Sequence, residues 1–327
     1  MRRREFITLL SGLVMWPLMV RAQQLPDRIR KIGVLMIIAE AEAHSEMRAF
    51  RQGLAQLGWE EGKNVKFEYR WAAGNSDRLR ADAAQLANLT DLILAQGTPG
   101  LAAARNAAPS LPIVFVNVTD PVAQGFVQSL AHPGGNITGF ALLEESMGAK
   151  WLEVLKELAP ETKRVALMFN PAMAPYYPMY FQSIEAAAPP LAIQPYELPV
   201  HVEADISRAL TTVAEERNAG VIVLLDAFTL GHRDLIISKA AEYRLPVVYA
   251  DRQFAESGGF VAYGADRVDQ FGKAGIYIDR IFKGTKPADL PIQLPTRLEL
   301  VINLRTAKKL GHVIPRNLLI RANEVIE

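Results

Sequence analysis

Residues 92–100 read Leu-Ile-Leu-Ala-Gln-Gly-Thr-Pro-Gly. Four apolar residues run into a polar turn with two glycines, and an alanine-rich helical stretch follows at 101–107. A short run that is apolar at every position is the pattern of a strand covered on both faces. A strand that ends in a tight turn and passes into a helix is the unit of an open parallel sheet. The same unit appears on either side. Upstream, residues 31–38 (KIGVLMII) predict a strand, and 45–57 predict a helix with Met47, Phe50, Leu54 and Leu57 on one face, stopped by Gly58. Residues 65–71 (VKFEYRW) alternate as a half-buried strand does, and 77–89 are helical. Downstream, 113–118 (IVFVNV) and 137–140 complete a first set of strands.

The pattern then starts again. Residues 147–158 form an amphipathic helix ended by Pro160, 164–169 (RVALMF) a strand and 180–187 a helix. Strands follow at 193–198, 221–225, 247–249 and 260–263, with helices at 202–218, 232–243 and 268–282 between or after them. The tail, 298–327, offers a strand (LELVIN), a short helix and a loop. Strands alternating with helices of this length need right-handed crossovers and a parallel sheet. The chain has 327 residues, too many for one small core. The expected fold class is therefore α/β, with two Rossmann-like lobes, each built on a parallel central sheet, and a cleft between them.

Composition narrows the function. The formal net charge of +1 gives no field that would gather nucleic acid. Arg2, Arg3 and Arg4 precede an apolar run over 6–20 that is broken by Ser11, Gly12 and Pro17. Val20-Arg21-Ala22 then resembles a cleavage site, with Gln23 as the first mature residue. This is the anatomy of a signal peptide over residues 1–22, and Arg3-Arg4-Glu5-Phe6-Ile7 matches its twin-arginine form. The apolar run is shorter than the roughly 20 residues that span a bilayer. The chain contains no cysteine, so it can carry neither a disulfide nor a lipid on an N-terminal Cys. The expected location is the periplasm, free of the membrane.

In an open parallel sheet, ligands bind beyond the carboxyl ends of the strands, and the residues standing there are the site candidates. After the strand at 92–95 come Gly97 and Thr98. Glycine allows close backbone approach, and free N–H groups at a helix start suit a carboxylate. The same residues serve equally as a turn with Thr98 as N-cap. Thr119 and Asp120 follow the strand at 113–118, where Asp120 can meet a ligand amine or cap the next turn. Asn170 and Tyr176 follow 164–169, Asp226 follows 221–225, and Tyr249 and Asp251 close and follow 247–249. Hydroxyls and an amide can hold a carboxylate, an aspartate can hold an ammonium, and tyrosine rings can supply an apolar platform.

Enzymatic signatures are lacking. No Gly-rich nucleotide fingerprint, phosphate loop or G-x-S-x-G elbow is present, and there is no thiol nucleophile. His44, His132, His201, His232 and His312 are scattered without zinc-type spacing. No catalytic residue, metal site or cofactor is expected.

Several stretches taken in order carry a resemblance. They are residues 113–116 (IVFV) leading into 118–122 (VTDPV), then 133–139 (PGGNITG), 284–291 (GTKPADLP), 301–303 (VIN), 307–311 (AKKLG), Ile314-Pro315 and the closing Glu324-Val325-Ile326. The chain resembles the ABC transporter substrate-binding family related to the streptococcal tryptophan-binding lipoprotein. The likeness runs over nearly all of the chain after residue 22. It implies a type I periplasmic binding fold with a three-crossing hinge. Residues 30–142 plus 258–287 would form lobe 1, and 143–257 plus 288–327 would form lobe 2. It implies that Thr98 meets the ligand carboxylate, that Thr119 and Asp120 form the first-lobe wall, and that Asn170 and Asp226 face them. The chain departs from that relative at Phe169-Asn170-Pro171, at Tyr176-Tyr177 and at Asp226-Ala227-Phe228, and in having no lipid-bearing cysteine. The expected function is capture of a small carboxylate or amino-acid-like ligand, aromatic or aliphatic, by a monomeric protein that closes about a hinge and delivers to an ABC importer permease. The alternative is a subunit that presents its ligand to a membrane receptor kinase.

Overall fold

The computed structural model describes residues 28–142, 145–311 and 313–327; the proposed signal peptide, residues 1–22, lies outside them. In the first lobe, β1 (Arg30–Met36), α1 (His44–Ala55), β2 (Val65–Trp71), α2 (Ser76–Leu89), β3 (Leu92–Gln96), α3 (Gly97–Ala107), β4 (Ile113–Val118) and β5 (Ile137–Ala141) follow one another. Their sheet runs β2-β1-β3-β4-β5 and every pair is parallel. Strands β3, β4 and β5 are buried throughout, as their largely apolar sequences require, with Gln96, Asn117 and Thr138 as their polar exceptions. Helix α2 starts where the Asn75 side chain accepts the Arg78 N–H. Helix α3 begins at Gly97, four residues earlier than its apolar periodicity suggests.

The second lobe comprises α4 (Met147–Leu158), β6 (Arg164–Phe169), α5 (Tyr177–Ala187), β7 (Gln194–Pro199), α6 (Glu203–Glu215), β8 (Ala219–Val223), α7 (Ala227–Gly231), α8 (Arg233–Glu242), β9 (Val247–Tyr249), α9 (Arg252–Glu256) and β10 (Val261–Ala265). After α10 (Arg267–Phe282), it resumes with β11 (Leu298–Asn303), α11 (Leu304–Leu310), α12 (Arg316–Arg321) and β12 (Glu324–Ile326). The sheet runs β12-β11-β10-β9-β8-β6-β7, parallel except where β11 lies antiparallel to β10. Its core holds Trp151, Tyr180 and Phe169, all buried. Each such side chain contributes about 1.5–3 kcal/mol by leaving water. Three local features differ from expectation. A short α7 precedes the helix expected over 232–243, which is α8, a short α9 follows β9, and the tail ends in a strand rather than a loop. Among the described residues, no helix is long and apolar enough to cross a membrane.

Helix α10 returns to the first lobe and packs on α1, β4 and β5. The approach is tight, since a Cβ on Gly53 would lie 2.3 Å from the Gly272 carbonyl oxygen. Indole Nε1 of Trp59 donates to Asp279 on the same helix at 3.0 Å. Residues 290–293 also stay with the first lobe: Thr138 Oγ1 donates to the Leu290 carbonyl, and the Ala141 N–H to that of Gln293. The chain therefore passes between the lobes three times, between β5 and α4, between β10 and α10, and between Gln293 and β11. Two of the expected boundaries need correction. Residues 258–287 do not belong to lobe 1 as one piece, because β10 pairs with β9 and β11 in the second sheet. Lobe 2 does not resume at 288, because the main chain through Gln293 is hydrogen-bonded to β5. An apolar run does not disclose which sheet it joins; pairing decides that.

Candidate functional site

The carboxyl ends of the two sheets meet around a cavity of about 30 Å³. That is room for about one water, so the lobes are packed against each other. The first lobe contributes Ile37 and Ile38 beyond β1, Gln96 to Pro99 at the β3–α3 turn, Asn117 from β4, and Leu142. The second contributes Tyr176, Leu225, Asp226, Ala227 and Leu230. Arg267, where the chain enters α10, completes the wall.

Gly97 is required at its position. Its φ is +71°, and a Cβ there would lie 2.6 Å from Ile37 Cδ1. Gln96 is the N-cap of α3, but its side chain does not cap the helix; Oε1 accepts the Ile37 N–H at 3.2 Å. The first-turn N–H groups of α3 thus open beside the cavity with the positive end of the helix dipole. Thr98 stands inside that turn rather than at the N-cap, and its Oγ1 accepts the Thr119 N–H at 3.3 Å. Next to it, β4 ends in a bulge at Asn117, whose φ is +57° and whose N–H donates to Gln270 Oε1 at 2.9 Å. Asn117 is 7 % exposed, and among the described residues neither its Nδ2 nor its Oδ1 has a hydrogen-bond partner. Thr119 is likewise buried, with its hydroxyl close to that of Tyr180 in the second lobe. Asp120 is half-buried with φ +41°, and its Oδ1 accepts the Ala123 N–H, which holds a turn; it does not line the cavity.

Across the cleft, Asp226 caps α7. Its Oδ1 accepts the N–H groups of Phe228 and Thr229, each at 2.8 Å, and its Oδ2 accepts that of Asn170 at 3.0 Å. Asn170 is occupied by its own loop: Nδ2 donates to the Val200 carbonyl, and Oδ1 accepts from Ala172 and Met173. The Tyr176 hydroxyl donates to the Leu225 carbonyl at 2.6 Å, leaving its ring to face the cavity. Tyr180, one turn further along α5, is buried with its hydroxyl beside that of Thr119. Burial pushes its phenol up, and the nearby Thr119 hydroxyl of the other lobe pulls the opposite way. Tyr249 lies away from the cavity, its ring stacked on Phe254. Asp251 pairs with Arg267 (Nε to Oδ2, 2.6 Å), and Arg267 also reaches Glu46 of α1 at 3.3 Å. Burial opposes the Arg267 charge, but the Asp251 and Glu46 carboxylates outweigh it and hold the guanidinium above its ordinary pKa.

Burial raises the Asp226 carboxyl to about 6 from 3.8, and the N–H bonds from Asn170, Thr229 and Phe228 offset only part of that. The folded chain therefore binds this proton more tightly than the unfolded chain does. The resulting stability is complete below pH 3.8 and disappears as pH rises through about 6. It amounts to about 3 kcal/mol. Denaturant titrations of the protein and of Asp226→Asn at pH 4 and pH 7 should show that difference in slope; parallel pH profiles would refute it.

The structure thus brings Gly97, Thr98, Tyr176 and Asp226 to one cavity, with Thr119 behind Thr98 and Asp251 behind Arg267. Sequence reasoning missed Asn117, Gln96 and Arg267. A signal existed for Asn117, since it is the one polar side chain in IVFVNV, a run otherwise apolar for burial on both faces. Arg267 carried none, as it reads like any cation at the start of a surface helix.

Comparison with known proteins agrees with this geometry. A family model described as ABC transporter substrate binding protein matches residues 31–326. A tyrosine-binding protein of Clostridioides difficile is 24% identical over 282 residues, covering 86% of this chain and 81% of that protein. The crystal structure of a conserved domain protein from Vibrio cholerae superposes with a TM-score of 0.84 at 29% identity, over 91% of this chain and all of that one. The ABC domain from Streptococcus pneumoniae in complex with L-Trp gives 0.83 at 24% identity with the same coverage.

Proposed function

The chain belongs to the ABC transporter substrate-binding protein family, and on that premise we propose that it captures an amino-acid-like carboxylate between its lobes for an importer permease. This family comprises binding proteins rather than enzymes. The observation that carries the reading is the composition of the cavity, which joins the open first turn of α3 and Thr98 to the apolar side chains of Ile37, Leu142, Leu225 and Leu230. Backbone N–H groups and a hydroxyl suit a carboxylate, and the apolar wall suits a hydrocarbon or aromatic side chain. Relatives that bind tyrosine and L-Trp support an amino acid.

Three chain crossings allow the lobes to open for entry and close on the ligand by rotation about a hinge. Residues 1–22 direct export, and the mature chain from Gln23 acts as a monomer in the periplasm, with no cysteine to tether it. A family defined as an ABC transporter component favours the importer over a kinase-linked sensor.

A thermal-shift screen of the purified protein against L-amino acids and small carboxylates tests this. A ligand at a hundred times its Kd adds about 2.7 kcal/mol to the native state. For a protein of this size, that raises Tm by roughly 5 °C. Absence of any shift, in protein shown by mass spectrometry to carry no copurified metabolite, would overturn the proposal.

A further inference from the structure

Among the described residues of the cavity wall, Asn117 is the one that is more than nine-tenths buried and whose polar side-chain atoms are wholly without a partner. The chain goes to some length to place it there. The β4–β5 register shifts between Val116 and Val118, and Asn117 takes a left-handed φ of +57°, a conformation that costs a residue with a Cβ some stability but that asparagine tolerates best. Gln270 fixes the backbone at that point by accepting the Asn117 N–H and donating its own Nε2 to the Ala141 carbonyl. A buried amide with an idle donor and an idle acceptor is costly unless something pairs with both.

The two idle atoms set different demands. Nδ2 can donate to a carboxylate. Oδ1 can only accept, so a ligand made of carboxylate and hydrocarbon leaves it unpaired. Its partner must carry a donor, and the surrounding charge says which kind. Asp226 and Arg267 both line the cavity, but Arg267 is already paired with Glu46 and Asp251 behind it, which leaves the Asp226 carboxylate as the wall's unpaired charge. A buried cation is favoured there over a neutral hydroxyl.

We propose that Asn117 is the specificity-determining residue that selects α-amino acids over their deaminated acids, with Oδ1 accepting from the ligand ammonium and Nδ2 donating to its carboxylate. This rests on the reading of the interlobe cavity as the ligand site. The apolar wall formed by Ile37, Leu142, Leu225 and Leu230 narrows the class to amino acids with apolar or aromatic side chains.

Calorimetric titration with matched pairs tests it: L-tryptophan with indolepropionate, L-tyrosine with hydroxyphenylpropionate, and L-leucine with isocaproate. The protein should bind at least one amino acid about a hundredfold more tightly than its deaminated partner. Asn117→Gly, which accepts the positive φ, should lower that preference at least about tenfold, because both members of a pair lose the Nδ2 donor but only the amino acid loses the acceptor for its ammonium. Asn117→Asp keeps the acceptor for the ammonium but loses the donor to the carboxylate, so both ligands should weaken and the deaminated acid, with no ammonium to offset the added charge, should weaken much more. It answers the question even if the glycine variant does not fold. An unchanged preference in Asn117→Gly, or Asn117→Asp binding both members of a pair equally, overturns the assignment while the transport reading stands. If the unmodified protein binds none of the amino acids, the assignment and the amino-acid reading of the cleft fail together.

Discussion

Arg267→Met is expected to destabilise the protein by about 3–5 kcal/mol. Arg267 is 5 % exposed, Asp251 1 % and Glu46 0 %, so water screens none of the three charges. The guanidinium holds one carboxylate from each lobe, Glu46 on α1 and Asp251 beyond β9. Removing it leaves two buried carboxylates with hydrogen bonds but no counter-charge. Ser45 Oγ and Gln253 Nε2 still donate to Glu46, and the Gln253 N–H to Asp251. These neutral donors cannot replace a cation in a low dielectric. Methionine fills most of the volume, which separates the charge effect from a cavity. Chemical denaturation reads the loss directly, and a fall in Tm of roughly 10 °C accompanies it. The triple variant Glu46→Gln, Asp251→Asn, Arg267→Met should recover more than half of the loss, because the uncompensated charges are then gone. A loss below about 1 kcal/mol in the single variant would show that the triad is hydrated and structurally minor.

Gly139→Ala should cost roughly 3 kcal/mol for a steric reason. Gly139 is the register partner of Phe115 in the β4–β5 pair, with φ +155°. A Cβ there would lie 2.1 Å from the Phe115 carbonyl oxygen and 2.6 Å from its nitrogen. Main chain cannot step aside as a side chain would, so the two strands must separate. The consequence spreads to the third crossing, because the Gln293 N–H donates to Gly139 and the Ala141 N–H to Gln293. Gly231→Ala is the matched control. It lies in α7 with nothing within 4 Å of an added Cβ, and alanine is the better helix former. That variant should unfold at or slightly above the denaturant concentration of the parent. Equal midpoints for the two variants would show that the β4–β5 contact relaxes freely.

Much of the fold was legible because burial leaves a local mark. A strand with helices on both faces must be apolar at every position, and β3, β4, β5 and β8 all are, or nearly so. Helix ends were readable where one residue decides them, such as Gly58 after α1. The short α9 and β12 were not, since three to five residues carry no period. Assigning β10 and residues 288–293 to a lobe also failed, for pairing partners lie far off in sequence.

For the site, the rule that ligands sit beyond strand ends brought Gly97, Thr98, Tyr176 and Asp226 into view. It could not separate residues whose polar atoms face a ligand from those that hold their own loops. Asn170 and Asp120 use their side chains on neighbouring backbone, whereas Asn117 leaves its own free. The sequence by itself determined the alternation of strands and helices, and with it an α/β protein of two lobes, because hydrophobic periodicity is fixed residue by residue. Only the tertiary structure decided where the chain crosses between lobes and that Glu46, Asp251 and Arg267 meet. Those contacts join residues up to 221 positions apart, and no local pattern encodes such a meeting; it follows from how the crossovers bring the strand ends together.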